Sequence, residues 1–225
     1  MSAIDALKKV ALNVTGETAD RLFLRPLSIR ITILLFHRNI RPTHVTLLSF
    51  AVLMVGASLF LYGSYPLILV AAIVIYFSDV LDCIDGELAR VRKEETATGA
   101  LIDYFVDRLG DIIVYSCITY ALFTHSSDAR MLLLGIFVIA SNTFMTDIGQ
   151  KVNSLKEQGH IAPSSGIKSY FNYGGTANTL ILLAASAFNV LFEGMILIAI
   201  LSFSYAIIRF IEAYHVLGKK QVSEK

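Results

Sequence analysis

The sequence predicts an all-α integral membrane protein, a six-transmembrane-helix bundle preceded by an N-terminal interfacial amphipathic helix. Three observations predict it. Of the 225 residues, 55% are hydrophobic and only 16% are Asp, Glu, Lys or Arg, against about 25% charged in soluble domains. Apolar stretches long enough to cross a bilayer recur along most of the chain, and mean hydropathy is +0.64. The basic residues are confined to alternate connections, although the net charge is only +1. The same composition excludes a disordered chain, which lacks such apolar content. It also excludes a disulfide-stapled domain, because the only cysteines, Cys83 and Cys117, both lie in apolar stretches. With no overall basic excess, no nucleic-acid partner is expected.

Residues 1–42 read as a cytoplasmic segment. Within it Arg21, Arg25, Ser28 and Thr32 recur at helical spacing, Leu22, Leu24, Leu27, Ile31, Leu34 and Leu35 fill the other faces, and Pro26 suits a first turn. This predicts a helix lying on the inner leaflet. No signal peptide is expected, since the first apolar run comes late. Asn13-Val14-Thr15 has the form of a glycosylation acceptor but would stay unmodified on that side.

No residue from Val45 to Ser78 is charged, and these 34 residues exceed one span of about 20. The turn signal Gly63-Ser64-Tyr65-Pro66 divides them. Span one is expected near 44–62, and span two from near 66 to about Arg90. Span three starts near Leu101 and runs to Thr124, and span four occupies about 131–149. The uncharged stretches Ser169–Phe192 and Gly194–Ile208 give spans five and six. Together they make one transmembrane domain, 43–217, followed by a cytoplasmic tail, 218–225. Of the 19 basic residues only Arg130 falls outside the N-terminal segment, the second and fourth connections with their flanks, and the tail. The positive-inside rule then places both termini, and the adjoining ends of spans two and three, at the cytoplasmic face of the cell membrane.

Those two ends carry seven acids: Asp79, Asp82, Asp85, Glu87, Asp103, Asp107 and Asp111. One charge at mid-bilayer costs about 2.5–3.5 kcal/mol even on lenient scales, so a set of this size needs something positive to hold it. At about 100° per residue, Asp82 and Asp85 share one helical face, as do Asp103 and Asp107. The segment 91–100 makes the two helices antiparallel neighbours, so the faces can meet. Four carboxylates form an all-oxygen site of the kind Mg²⁺ or Mn²⁺ prefers, and two ions could share it. The alternative is a set of helix-end acids wetted by water and paired to Arg90, Arg92 and Arg108. Gly86, Ala89 and Gly99 leave room for a ligand against the helices, or for close helix packing. Arg90 suits a phosphate, and the combination suggests a bound pyrophosphate.

Asp82-x-x-Asp85-Gly86-x-x-Ala89-Arg90, then eight residues, then Gly99-x-x-x-Asp103-x-x-x-Asp107 resembles the signature of the CDP-alcohol phosphotransferases. Arg41-Pro42-Thr43-His44-Val45-Thr46 resembles the segment that opens the first span in that family. The resemblance implies transfer of a substituted phosphate from a CDP-alcohol, most often a CDP-linked lipid, to a second alcohol with release of CMP. It implies two divalent ions, Mg²⁺ or Mn²⁺, on Asp82, Asp85, Asp103 and Asp107, with Asp107 also the base that takes the acceptor's proton. Pro42, Thr43, Gly86, Ala89, Arg90 and Thr96 would line the CDP site, and the protein would be a homodimer in the bilayer.

The acceptor alcohol is less legible. Lys151, Lys156 and Lys168 could meet an anionic acceptor, or could be ordinary positive-inside charge. Tyr173-Gly174-Gly175-Thr176-Ala177-Asn178-Thr179 holds none of the basic residues that inositol-phosphate users in the family carry there, whereas the stretch Ser78–Glu87 resembles that same branch. His37, His44, His125, His160 and His215 share no ligand spacing, and Cys83 offers nothing to a hard-cation site. A divalent-cation transporter built on the intramembrane acids and a structural scaffold are the competing readings. The acids ending at one face argue against the first, and the cluster itself argues against the second.

Overall fold

The computed structural model describes residues 18–159, 161 and 172–223, and every regular element among them is helical. A π-helical turn, Asp20–Leu24, runs into α1 (Arg25–Leu35). There follow α2 (Pro42–Phe60), α3 (Tyr65–Arg92), α4 (Ala97–Ser126), α5 (Arg130–Glu157), α6 (Gly175–Ala187) and α7 (Leu191–Ser223).

Local chemistry sets the boundaries. Pro42 and Pro66 sit in first turns after extended residues Arg41 and Ser64, where a missing N–H costs nothing. Thr96 caps α4 by accepting from the Gly99 N–H at 3.0 Å. Helix α3 closes on Lys93, whose φ of 57° is left-handed. Asn189, also left-handed, separates α6 from α7.

Helix α2 is the spine: it packs against both α3 and α4, while α3 and α4 hardly approach each other. Helices α5 and α7 pair, α6 bridges α3 and α7, and α1 lies on α3. Small residues make this closeness possible. A Cβ on Gly56 would lie 2.9 Å from Ile75 Cγ1, and one on Gly194 would collide with the Ala185 Cβ. Phe60, Ile118, Met195 and Ile198 fill the interior. A buried polar seam joins three helices: Asn178 Nδ2 donates to Asn142 Oδ1 at 2.8 Å and to Ser202 Oγ at 3.2 Å, the pairing that polar groups need away from water. The exterior is apolar, with Leu48, Ile73, Phe77, Ile136 and Ile208 among the outward residues, which is what lipid contact requires.

Among the described residues four helices, α2, α3, α5 and α7, are long and apolar enough to cross a membrane, which makes this an integral membrane protein. Two of the expected spans differ. Helix α4 has the length, 30 residues, but Asp103, Asp107, Arg108 and Asp111 occupy its first half. Helix α6 has only 13 residues; at about 1.5 Å per residue that is well short of the roughly 30 Å hydrocarbon core. The uncharged stretch around it is longer because it includes the turn at Asn189 and the residues before Gly175.

The N-terminal helix is present, but its polar side does not face water. Ser28 and Thr32 are buried, and Leu22, Phe23 and Leu34 are exposed. The reason is Glu87, a fully buried carboxylate of α3 that accepts from Ser28 Oγ at 2.6 Å, Thr32 Oγ1 at 2.7 Å and Arg25 Nη1 at 2.9 Å. Asn13-Val14-Thr15, His160 and Lys168 lie outside the described residues.

Candidate metal centre and its two cavities

The gap between α3 and α4 holds the acids. Carboxylate oxygens of Asp82 and Asp85 on α3 and Asp103 on α4 lie within 4.8 Å of one another. Asp107, one turn further along α4, faces the same cavity but sits outside that 4.8 Å group. At such separations two ionised carboxylates repel by about 3 kcal/mol even at an effective dielectric constant near 20. Among the described residues, no Lys, Arg or His nitrogen comes within 4.0 Å of any of these four. Asp85 is 6% exposed, and its Oδ2 is buried with no hydrogen-bond partner among the described residues. Converging hard oxygens, an orphaned buried acceptor and missing countercharge fit a divalent cation such as Mg²⁺ or Mn²⁺.

Of the other three acids of the set, Asp79 lines the deeper of two neighbouring cavities and the remaining two have protein partners of different kinds. Asp111 pairs with Arg108 at 3.3 Å, and Glu87 is taken up by α1. The wetted, arginine-paired arrangement therefore describes Asp111, and neither the buried Glu87 nor the converging group.

The carboxylates stand in a wall between two cavities, which share Asp85, Gly86, Arg90 and Asp103. The outer cavity, about 480 Å³, is lined by Pro42, Thr43, Gly86, Ala89, Arg90 and Thr96, and by Asn39–Arg41 and Arg92. Gly86 matters here: a Cβ on it would come 3.1 Å from Arg90 Nη1, so the guanidinium lies across the bare backbone. The Arg90 Nε is buried without a partner among the described residues.

The deeper cavity, about 490 Å³, contains Asp79, Asp82, Asp107 and Asp111 and reaches Thr176 and Arg209. Lys151 and Lys156 line neither cavity. The cations that do reach the deeper one are Arg25, Arg90, Arg108 and Arg209. Arg209 donates to Asn153 Oδ1 at 3.2 Å and stacks over Tyr205. In the sequence Arg209 reads as positive-inside charge at the end of a span, and nothing in its spacing points to a cavity. Cys83 lines the deeper cavity with its Sγ committed to Asp20 Oδ1, to which it donates at 3.3 Å.

The chain is similar to known proteins in sequence and in fold. It is 26% identical over 123 residues to the inner membrane protein YnbA of Escherichia coli (strain K12), covering 54% of this chain and 60% of that one. It is 27% identical over 152 residues to a bifunctional IPC transferase and DIPP synthase of Archaeoglobus fulgidus, covering 65% of this chain and 30% of that one. The chain thus spans less than two thirds of the length of these curated relatives. The Mycobacterium tuberculosis phosphatidylinositol phosphate synthase, solved with CDP-DAG bound, superposes with a TM-score of 0.66 at 21% identity, over 84% of this chain and 94% of that one. The same enzyme in complex with manganese and citrate gives 0.64, over 85% and 88%. At that identity the likeness is one of fold. The match to the CDP-alcohol phosphatidyltransferase family model runs from residue 39 to residue 208, from the turn before α2 well into α7, and on that extent the chain belongs to the CDP-alcohol phosphatidyltransferase family.

Proposed function

We propose that the chain is a membrane transferase that moves a substituted phosphate from a CDP-alcohol, a CDP-linked lipid as in the structural neighbour solved with CDP-DAG, to the hydroxyl of a second alcohol, releasing CMP. The observation that carries this reading is the unpaired set Asp82, Asp85 and Asp103, of which Asp85 and Asp103 stand in the wall shared by two cavities. One cavity takes the cytidine diphosphate and the other the acceptor, so both substrates meet at the same carboxylates. The ion-transporter reading has no support from the family match.

In this reading Asp82, Asp85, Asp103 and Asp107 hold two divalent ions. When bound, the ions supply Lewis-acid stabilisation of charge on the pyrophosphate and on the departing CMP. Asp107 takes the acceptor's proton as the new O–P bond forms and the P–O bond to CMP breaks. Arg90, lying over Gly86, neutralises the phosphates, and Pro42, Thr43, Ala89 and Thr96 close around the nucleotide. Positioning and charge stabilisation do most of the work in such transfers. The acceptor enters the deeper cavity, where Nε of both Arg108 and Arg209 is buried without a hydrogen-bond partner among the described residues, a lining suited to a hydroxylated anion. Lys156, beside Arg209 and Glu212, and Lys151 act from outside that cavity as positive-inside charge at the end of α5. Residues 43–217 form the catalytic domain, with α2, α3, α5 and α7 as full spans and α4 and the short α6 completing the bundle of six, α1 in the interface, both termini and the site at the cytoplasmic face, and a homodimeric assembly.

The test is direct. Purified protein with Mg²⁺ or Mn²⁺, CDP-diacylglycerol and a panel of alcohols that includes glycerol phosphate, serine, inositol and inositol phosphate should release CMP with at least one acceptor. Metal uptake into vesicles with no CMP from any pair would overturn the reading.

A further inference from the structure

We propose that α1 is a positioning part of the nucleotide site, clamped onto the signature helix by Glu87 and Arg92; this rests on the reading of the outer cavity as the nucleotide's. Two polar groups of α3, five residues apart, hold α1 at separate points. The Glu87 carboxylate is 0% exposed and takes three donors along α1, from its first residue onward: Arg25, Ser28 and Thr32. The Arg92 guanidinium takes its C-terminal end and the turn that follows. Nη2 donates to the carbonyls of Leu35 at 2.8 Å and Phe36 at 2.9 Å and also to that of Arg38, and Nη1 donates to the Ile40 carbonyl at 2.6 Å.

That turn leads directly into the cavity wall. Asn39, Ile40 and Arg41, with Pro42 and Thr43, face Gly86, Ala89 and Arg90 across the outer cavity. The wall is therefore referenced to the same helix that supplies Asp82, Asp85 and Arg90. Apolar contact alone would not do this. Leu24, Leu27, Ile31 and Leu35 pack with Val80 and Ile84, but burial is non-directional, whereas the hydrogen bonds fix register and rotation. Glu87 lines neither cavity. It stands between the Asp85-Gly86 and Ala89-Arg90 pairs of the signature with its side chain committed to α1. Glu87 and Arg92 are positioning residues: they act through the wall, not on the reacting atoms.

The experiment uses the full chain in lipid nanodiscs, with CMP binding followed by calorimetry in the presence of Mn²⁺, steady-state kinetics on CDP-diacylglycerol, and thermal unfolding as the check on folding. Glu87→Gln should raise both the CMP Kd and the donor KM about tenfold, the scale of one lost charge-assisted bond, with kcat at saturating donor within about threefold of wild type. Arg92→Lys keeps the charge but not the fork that spans several carbonyls, and should raise the CMP Kd to a similar degree. The double variant should fall short of the product of the singles, because both act through α1. Ser28→Ala, which removes one of three donors and keeps the fold safer, should shift both constants in the same direction by less. Folded Glu87→Gln or Ser28→Ala protein with CMP affinity and donor KM equal to wild type would overturn the clamp. So would restoration of full affinity by Arg92→Lys alongside an inert Glu87→Gln, since Arg92 would then act as a simple charge on phosphate. Wild-type protein that neither binds CMP nor releases it would instead defeat the underlying functional reading.

Discussion

Asp85 shows what a single side chain is asked to tolerate here. It is nearly cut off from water, one of its oxygens has no donor, and two other carboxylates stand within 4.8 Å. Asp85→Asn should therefore weaken Mn²⁺ binding measured by calorimetry, by at least about tenfold, while the fold melts no lower, because a repulsion is removed along with the ligand. Asp107→Asn should lower turnover by about a hundredfold to ten-thousandfold, the range of a lost general base, with CDP-diacylglycerol binding largely retained; near-normal turnover would remove Asp107 from that role. Arg90→Ala should act on the nucleotide, raising the CMP Kd about tenfold to a hundredfold for a lost charged contact. The spacing of the aspartates was legible because periods of three and four put them on common faces. Glu87 was not, since its place in the acid run hides a side chain that belongs to a different helix.

At the scale of the element, α1 and α6 are the instructive cases. The alternation of Arg25, Ser28 and Thr32 with leucines marks α1 as amphipathic, but periodicity cannot say whether a polar face meets water or a buried acid. The answer came from α3, which places Glu87 under it. Helix α6 is shorter than its uncharged surroundings suggest, because hydropathy records where charges are missing and not where the backbone turns. Its junction with α7 is tight: a methyl group at Gly194 would overlap the Ala185 Cβ, which is fixed to backbone and cannot yield. Gly194→Ala should therefore lower stability by about 1–3 kcal/mol, the usual range for overpacking, seen as a lower melting temperature in detergent. An unchanged melting temperature would mean that α6 and α7 separate without penalty.

For the molecule as a whole, the decisive arrangement is that α2 packs against both α3 and α4 and keeps them apart, leaving room for ions and substrates between two rows of acids. Chelation by EDTA should abolish CMP release, and Mg²⁺ or Mn²⁺ should restore it; activity that survives exhaustive chelation would rule out the metal reading. Orientation can be tested with single cysteines introduced against the native Cys83 and Cys117. In intact cells an impermeant maleimide should label Asp128→Cys, in the turn between α4 and α5, and leave Glu94→Cys unlabelled until the membrane is opened. By itself the sequence determined the helical class, the apolar exterior, the distribution of basic residues and which acids share a face, because each is a property of order and period along one strand. Only the tertiary structure decided that the acid cluster contains an unpaired trio with Asp107 and Asp79 in the same cavity, an Arg108-bound Asp111 and an α1-bound Glu87, and that Arg209 reaches the deeper cavity while Lys151 and Lys156 do not. Those outcomes depend on the rotation and separation of packed helices, which are set by contacts such as Gly56 on Ile75 and Gly194 on Ala185 between residues far apart in the chain.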